Sequence, residues 1–267
     1  MGLNFAFFND WVQENLGIEL DAYKERQMQR RITNIMNRAG AKTLEQYASL
    51  LKEDRIARIA FIEHLTINVT NFYRNKEIFE LFEQKMNAEI FSRFEFPKIW
   101  SAACSTGAEP YTLAMITAKK NCPGARIVAT DIDEAILNKA RAGRYSEYEV
   151  SNLAKADLQR FFNKTDTASF EIKNELKRRV TFKRHDLLKD MYEQNCHVVV
   201  CRNVTIYFKP KARDEVYRKL ASALVPGGLL FTGATETINS AAQLGLKKLD
   251  SFIYQKKQQN ERSEING

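Results

Sequence analysis

Four cysteines and three histidines in 267 residues are too few and too scattered for a disulfide framework or a zinc site. Cys104, Cys122, Cys196 and Cys201 follow one another at intervals of 18, 74 and 5, which match neither thioredoxin nor zinc spacing, and each lies in or beside an apolar stretch. They read as free thiols of a reducing compartment. His64, His185 and His197 have no cysteine or acid at ligand spacing and read as structural, so no metal is expected. No apolar run approaches the roughly 18 residues of a membrane span. The start of the chain has neither a basic leader region nor, at Ala6, the Ser or Thr of a myristoylation signal. A cytoplasmic protein without direct membrane insertion is expected. Repeats and low-complexity tracts are absent too, and no proline precedes Pro97.

What the chain does have is positive charge, with 41 Lys and Arg against 33 Asp and Glu and a net +8. Residues 22 to 58 hold nine of these cations against four acids, a net +5. Met28, Ile32, Ile35, Met36 and Ala39 recur at helical spacing there and form one apolar stripe, which Gly40 is expected to end. Lys24, Arg30, Arg31 and Arg38 cluster beside that stripe. The face is either merely solvated or a docking surface for an acidic partner. Only Tyr23 and Tyr47 interleave it, few for base stacking.

The sequence changes character at Pro97. Before it, only Gly17 and Gly40 break a helical pattern; after it, short β-like runs alternate with helical ones. Strands are expected at Lys98–Cys104, Arg126–Thr130, Val180–Lys183, Val198–Val200 and Leu229–Thr232, with helices from Pro110, Glu134 and Ala212, and a strand-like close over Lys247–Gln255. Such alternation implies a mostly parallel sheet covered on both faces, with its ligand beyond the carboxyl ends of the strands. Those ends supply Cys104-Ser105-Thr106-Gly107-Ala108-Glu109, then Asp131 and Asp133, then Asp186, then Arg202-Asn203. The first loop has a single glycine, and neither G-x-G-x-x-G nor a Walker sequence is present, so a nucleotide phosphate is a poor fit. Glu109 and Asp131 would repel phosphate while accepting hydrogen bonds from an ammonium and from ribose hydroxyls. That chemistry suits S-adenosylmethionine, although acids at strand ends also serve as helix caps, the expected role of Asp133.

The strings Trp100-Ser-Ala-Ala-Cys-Ser-Thr-Gly-Ala-Glu-Pro-Tyr-Thr-Leu-Ala114, Ala129-Thr-Asp-Ile-Asp133, Cys201-Arg-Asn-Val-Thr-Ile-Tyr-Phe208, Val225-Pro-Gly-Gly-Leu-Leu-Phe231 and, upstream, Asn68-Val-Thr-Asn-Phe-Tyr-Arg74 closely resemble the chemotaxis receptor glutamate methyltransferases, the CheR family. The resemblance covers nearly the whole chain. It implies an α/β fold, a Rossmann-like S-adenosylmethionine methyltransferase domain with a small β-subdomain insertion, preceded by an all-α N-terminal domain. The implied division is a helical receptor-docking domain over 1–66, a linker over 67–96, the methyltransferase domain over 97–255 with its β-subdomain near 145–180, and a polar tail over 256–267. The implied activity is transfer of a methyl group to glutamate side chains on the cytoplasmic coiled coil of chemotaxis receptors, leaving S-adenosylhomocysteine. Implied cofactor residues are Asn68, Thr70, Arg74, Glu109, Asp131, Asp186, Leu187, Arg202 and Asn203. Arg74 and Tyr207 match positions beside the transferring methyl, and Arg30, Arg31 and Arg38 would face the receptor. Departures are mild: Ile67, Ala108, Thr205, where a large apolar residue is usual, and His197.

Two rival readings have discriminating residues. An adenine methylase would resemble its kin in Asn-Pro-Pro-aromatic after the fourth strand, where this chain has Arg202-Asn203-Val204-Thr205, so no nucleic-acid substrate is expected. A sensor that binds the cofactor without chemistry would have no need of both Arg74 and Tyr207. Some family members bind a receptor pentapeptide tether through the β-subdomain, using glycines in a tight turn. The corresponding stretch here, Asn163–Ser169, has none, so no tether binding is expected.

Overall fold

A computed structural model describes residues 2–165 and 169–258, which group into two compact units. The first comprises residues up to Asn68 together with Tyr207–Asp214. It holds helices α1 (Phe5–Leu16), α2 (Glu25–Arg38), α3 (Leu44–Glu53) and α4 (Arg55–Thr66). Their ends follow from capping chemistry. Asn4 accepts from Phe7 N to start α1, Thr43 from Gln46 N to start α3, and Asp54 from Ile56 N at 2.7 Å to start α4. Asp54 N in turn donates to Leu50 O and closes α3, so one residue forms the junction. Gly40, at φ +77°, stops α2, with Ala41 N reaching back to Met36 O at 3.2 Å.

Phe8, Tyr47 and Phe61 pack ring on ring at 5.8–5.9 Å in the core of this unit, with Val12, Met28, Ile32, Met36 and Leu51 buried around them. The apolar stripe is narrower than its spacing implies. Ile35 is half-buried, and Ala39 is exposed because the helix has already ended at Arg38. Residues 207–209 bind the turn before α2: Tyr207 O accepts from Lys24 N at 2.8 Å and Lys209 N donates to Ala22 O at 2.7 Å.

The second unit spans Val69–Ile206 and Glu215 onward. Its helices are α5 (Lys76–Met86), α6 (Ala108–Lys119), α7 (Glu134–Ala142), the short α8 (Glu147–Val150), α9 (Lys155–Phe161) and α10 (Asn174–Lys177), and most of α11 (Pro210–Ala223). Its strands are β1 (Lys98–Ser101), β2 (Arg126–Asp131), β3 (Arg144–Ser146), β4 (Phe162–Lys164), β5 (Ser169–Ile172), β6 (Val180–Arg184), β7 (Cys196–Cys201), β8 (Leu224–Thr232), β9 (Leu246–Asp250) and β10 (Ile253–Lys256). The main sheet runs β6-β2-β1-β7-β8-β10-β9, parallel from β6 to β8 and antiparallel beyond. The strand-like close of the chain is thus two strands rather than one. Ser251-Phe252 turns them into a hairpin, a reversal that unbroken β propensity conceals.

The inner strands β2, β7 and β8, buried on both faces, carry the runs Ile127-Val128-Ala129, Val198-Val199-Val200 and Leu229-Leu230-Phe231, whereas the edge strand β6 exposes Thr181, Lys183 and Arg184. Helix α6 is buried from Ala108 through Thr117 and has no polar face to advertise its register. Between α7 and β6 lies the insertion, an antiparallel sheet ordered β3-β5-β4. Thr165 N meets Ser169 O at 2.8 Å where β4 gives way to β5, while 166–168, the middle of the glycine-free turn, lie outside the described residues, as does the tail from 259.

Candidate active site

Chain order leaves β1 toward β2 and β6, then returns to β7 and β8, so the switch point of the sheet lies between β1 and β7. A buried ion pair spans it. Ser101 Oγ, at the end of β1, donates to Glu109 Oε1 at 2.8 Å, and Glu109 Oε2 lies 3.6 Å from an Arg202 nitrogen at the end of β7. Burial raises the Glu109 pKa against the opposing pull of Arg202, and burial lowers that of Arg202 against the pull of Glu109. The Arg202 guanidinium also lies over the rings of Phe231 and Phe79, at 4.7 and 5.3 Å, and donates to Arg74 O at 2.9 Å and Asn75 Oδ1 at 3.1 Å.

Asp131 ends β2 and ties two loops together. Its Oδ2 accepts from Ser105 N at 2.9 Å and its Oδ1 from Asp133 N at 3.1 Å. Burial pushes its pKa up to about 6, although these backbone donors pull it down. Ser105, at φ +49°, holds a conformation unfavourable to a residue with a Cβ, and the Asp131 bond pins it there. At Gly107, φ +87°, a Cβ would come within 2.9 Å of Ala140 Cβ, so only glycine lets the loop enter α6 against α7. After β6, Asp186 Oδ1 accepts from Leu188 N at 2.8 Å and Leu187 is buried, its carbonyl accepting from Tyr192 Oη.

Thr70 and Arg74 lie on the segment before α5. Phe72 anchors that segment to the insertion: its N donates to Glu149 O, its carbonyl accepts from Asn152 Nδ2, and its ring meets those of Tyr145 and Phe162. Arg74 is half-buried, donates to Val69 O at 2.7 Å, and lies close enough for its charge to act on Glu109 and Arg202. The second unit therefore gathers Arg74, Glu109, Asp131, Arg202 and Asn203 at the strand ends. Asn68 and Tyr207 group with the first unit, where Asn68 Nδ2 donates to Thr66 Oγ1 at 2.9 Å and Tyr207 is half-buried within electrostatic reach of Arg31.

Of the three arginines expected on a docking face, Arg30 and Arg38 are exposed, whereas Arg31 is half-buried and donates to the His64 carbonyl. His64 Nε2 returns the bond to Arg31 O at 3.1 Å, clasping α2 to α4, so Arg31 is engaged inside its own unit. Asp133 accepts from Ala135 N and Ile136 N as the N-cap of α7. Cys104, Cys196 and Cys201 are buried free thiols, pushed up in pKa by burial. No group of metal-ligating side chains occurs among the described residues.

One buried acid escaped the sequence. Glu236, four residues past the end of β8, is 3% exposed and accepts from four consecutive backbone N–H groups of the loop after β7. Ala-Thr-Glu-Thr carries no motif. Only the strand-end rule, extended to Thr232, points to it.

The rim fits S-adenosylmethionine. Glu109, Asp131 and Asp186 outnumber Arg74 and Arg202, which favours a cationic ligand, and Thr106 Oγ1 and Arg202 Nε are buried with no partner among the described residues. Residues 68–253 match the family model described as "CheR methyltransferase, SAM binding domain", and residues 3–66 match "CheR methyltransferase, all-alpha domain". The chain is 37% identical to the chemotaxis protein methyltransferase of Listeria monocytogenes over 94% of its own length and 96% of the relative's. It is 31% identical to chemotaxis protein methyltransferase 1 of Pseudomonas aeruginosa, covering 89% and 91%, and 32% identical to the Escherichia coli chemotaxis protein methyltransferase, covering 88% and 85%.

Proposed function

This chain belongs to the CheR methyltransferase family, and from that premise we propose that it methylates glutamate side chains on the cytoplasmic coiled coil of chemotaxis receptors, using S-adenosylmethionine. The observation that carries the acceptor assignment is Arg74, a guanidinium fixed by its bond to Val69 O beside the acid-rich switch point of a cofactor domain. A planar fork so held suits two-point capture of a carboxylate.

S-adenosylmethionine supplies an electrophilic methyl on a positively charged sulfur. The acceptor glutamate has a reference pKa near 4.3 and is ionised at neutral pH, so the protein needs no general base. Its work is positioning and exclusion of water. Asp131 has acceptor capacity left for ribose hydroxyls beyond the backbone N–H groups it already accepts from, and Glu109 has capacity left for an ammonium beyond Ser101 and Arg202. Thr70, Asp186, Leu187, Arg202 and Asn203 complete the proposed cofactor set in the second unit. Arg74 is assigned to the acceptor carboxylate. Because opposite charges merge during transfer, the apolar surroundings that Phe79 and Phe231 make beside Arg202 favour the reaction.

The exposed Arg30 and Arg38 suit the acidic side chains of a receptor helix, and the glycine-free turn after β4 supports direct recognition without a tether. Incubation with labelled S-adenosylmethionine and either receptor-containing membranes or DNA tests the whole reading. The expected product is receptor label released as methanol by mild base; label in DNA, or label stable to base, would overturn it.

A further inference from the structure

Methyl transfer as proposed makes no use of Glu236, yet it is among the most heavily hydrogen-bonded carboxylates in the second unit. Its Oε1 accepts from Val204 N at 3.0 Å, Thr205 N at 2.8 Å, Thr205 Oγ1 at 2.8 Å and Ile206 N at 3.3 Å. Its Oε2 accepts from Asn203 N at 2.5 Å and Gly233 N at 2.8 Å. Successive N–H groups converging on one point form a concave anion site, and here the anion is a side chain from the neighbouring strand's end. The space is closed: a Cβ on Gly233 would collide with Glu236 Oε2 and lie 2.9 Å from Asn203 N.

The arrangement repeats the clamp made by Asp131. At the end of β1, Ser105 is left-handed and its N–H is held by Asp131 from β2; at the end of β7, Asn203 is left-handed, φ +60°, and its N–H is held by Glu236 from beyond β8. The two clamps flank the switch point. Each fixes a loop that starts the cofactor rim, and the second begins with Arg202 and Asn203.

We propose that Glu236 is the positioning residue of the β7 loop, setting Arg202 and Asn203 for S-adenosylmethionine through the backbone it gathers. It acts through the loop, touching neither cofactor nor acceptor. Only a carboxylate serves, because all its partners in the cage donate from backbone N–H or from the Thr205 hydroxyl, and an amide would turn its own N–H groups against some of them. Thr205, where the resembling family usually has a large apolar residue, supplies one of these donors and also bonds Tyr217 Oη at 2.7 Å.

The inference rests on the assignment of Arg202 and Asn203 to the cofactor, so the test separates the two. S-adenosylmethionine affinity is measured by calorimetry on the full-length protein with Glu236→Gln, Thr205→Val, Tyr217→Phe and Asn203→Ala, alongside melting temperature and KM for receptor membranes. Glu236→Gln is expected to weaken cofactor binding at least tenfold and Thr205→Val about threefold, with receptor KM unchanged. Glu236→Asp, keeping the charge, is expected to recover part of the affinity lost in Glu236→Gln. Tyr217→Phe, which removes a bond to the same threonine but none to the carboxylate, should stay within twofold of the parent whatever its melting temperature. If Asn203→Ala loses affinity while Glu236→Gln and Thr205→Val bind like the parent, the positioning role is wrong and the cofactor assignment stands. If Asn203→Ala also binds like the parent, the assignment itself falls. Should Glu236→Gln fail to fold, Thr205→Val decides alone, and an affinity within twofold of the parent's counts against the proposal.

Discussion

Replacing Asp131 with asparagine should change the pH dependence of folding stability by a calculable amount. The carboxyl is buried at the end of β2, and its pKa is pushed from an ordinary 3.8 up to about 6. A folded-state pKa above the unfolded one means that the native protein binds this proton more tightly, so the group's contribution falls as pH rises from 3.8 through 6. Fully developed, the displacement corresponds to about 3 kcal/mol of destabilisation at pH 8, of which about 1 kcal/mol is already present at pH 4.5. The substituted amide carries no such burden, though it cannot accept from both Ser105 N and Asp133 N. That loss does not titrate and cancels when two pH values are compared. Urea unfolding of both proteins without cofactor, at pH 4.5 and pH 8, should therefore show the stability difference moving in favour of Asp131→Asn by about 2 kcal/mol on going to the higher pH. A difference independent of pH would refute the reasoning and place the carboxyl in a far more polar setting than its burial implies.

Three further outcomes follow from the same geometry. Arg202→Met leaves Glu109 without its buried counter-ion and should cost about 3–5 kcal/mol by chemical unfolding, while adding Glu109→Gln should restore much of that stability. Reversing Arg30 and Arg38 to glutamate should reduce methylation of receptor membranes with a salt-dependent deficit, strongest at low ionic strength; an unaltered rate there would make α2 a merely solvated face. Receptor C-terminal pentapeptides titrated into the protein should give no saturable binding, and a micromolar dissociation constant would show that the turn after β4 does not need glycine.

The elements that sequence alone determined are those governed by local rules. Apolar strand runs, the capping of α7 by Asp133, the stop of α2 before Gly40 and the strand-end positions of Glu109, Asp131 and Arg202 all follow from chain-local spacing and chemistry. Long motifs added the family, because a strand-loop-helix written in a shared vocabulary is legible without coordinates. Tertiary structure decided the pairing of distant groups. Arg31 shares its spacing with Arg30 and Arg38, yet it turns to the His64 carbonyl, because only the packing of α4 against α2 brings that acceptor within reach. Glu236 lies 33 residues from Asn203, and no periodicity connects them. They meet because β7 and β8 are parallel neighbours whose carboxyl ends deliver both loops to one rim, where the buried N–H groups after β7 need an acceptor and the acid after β8 provides it.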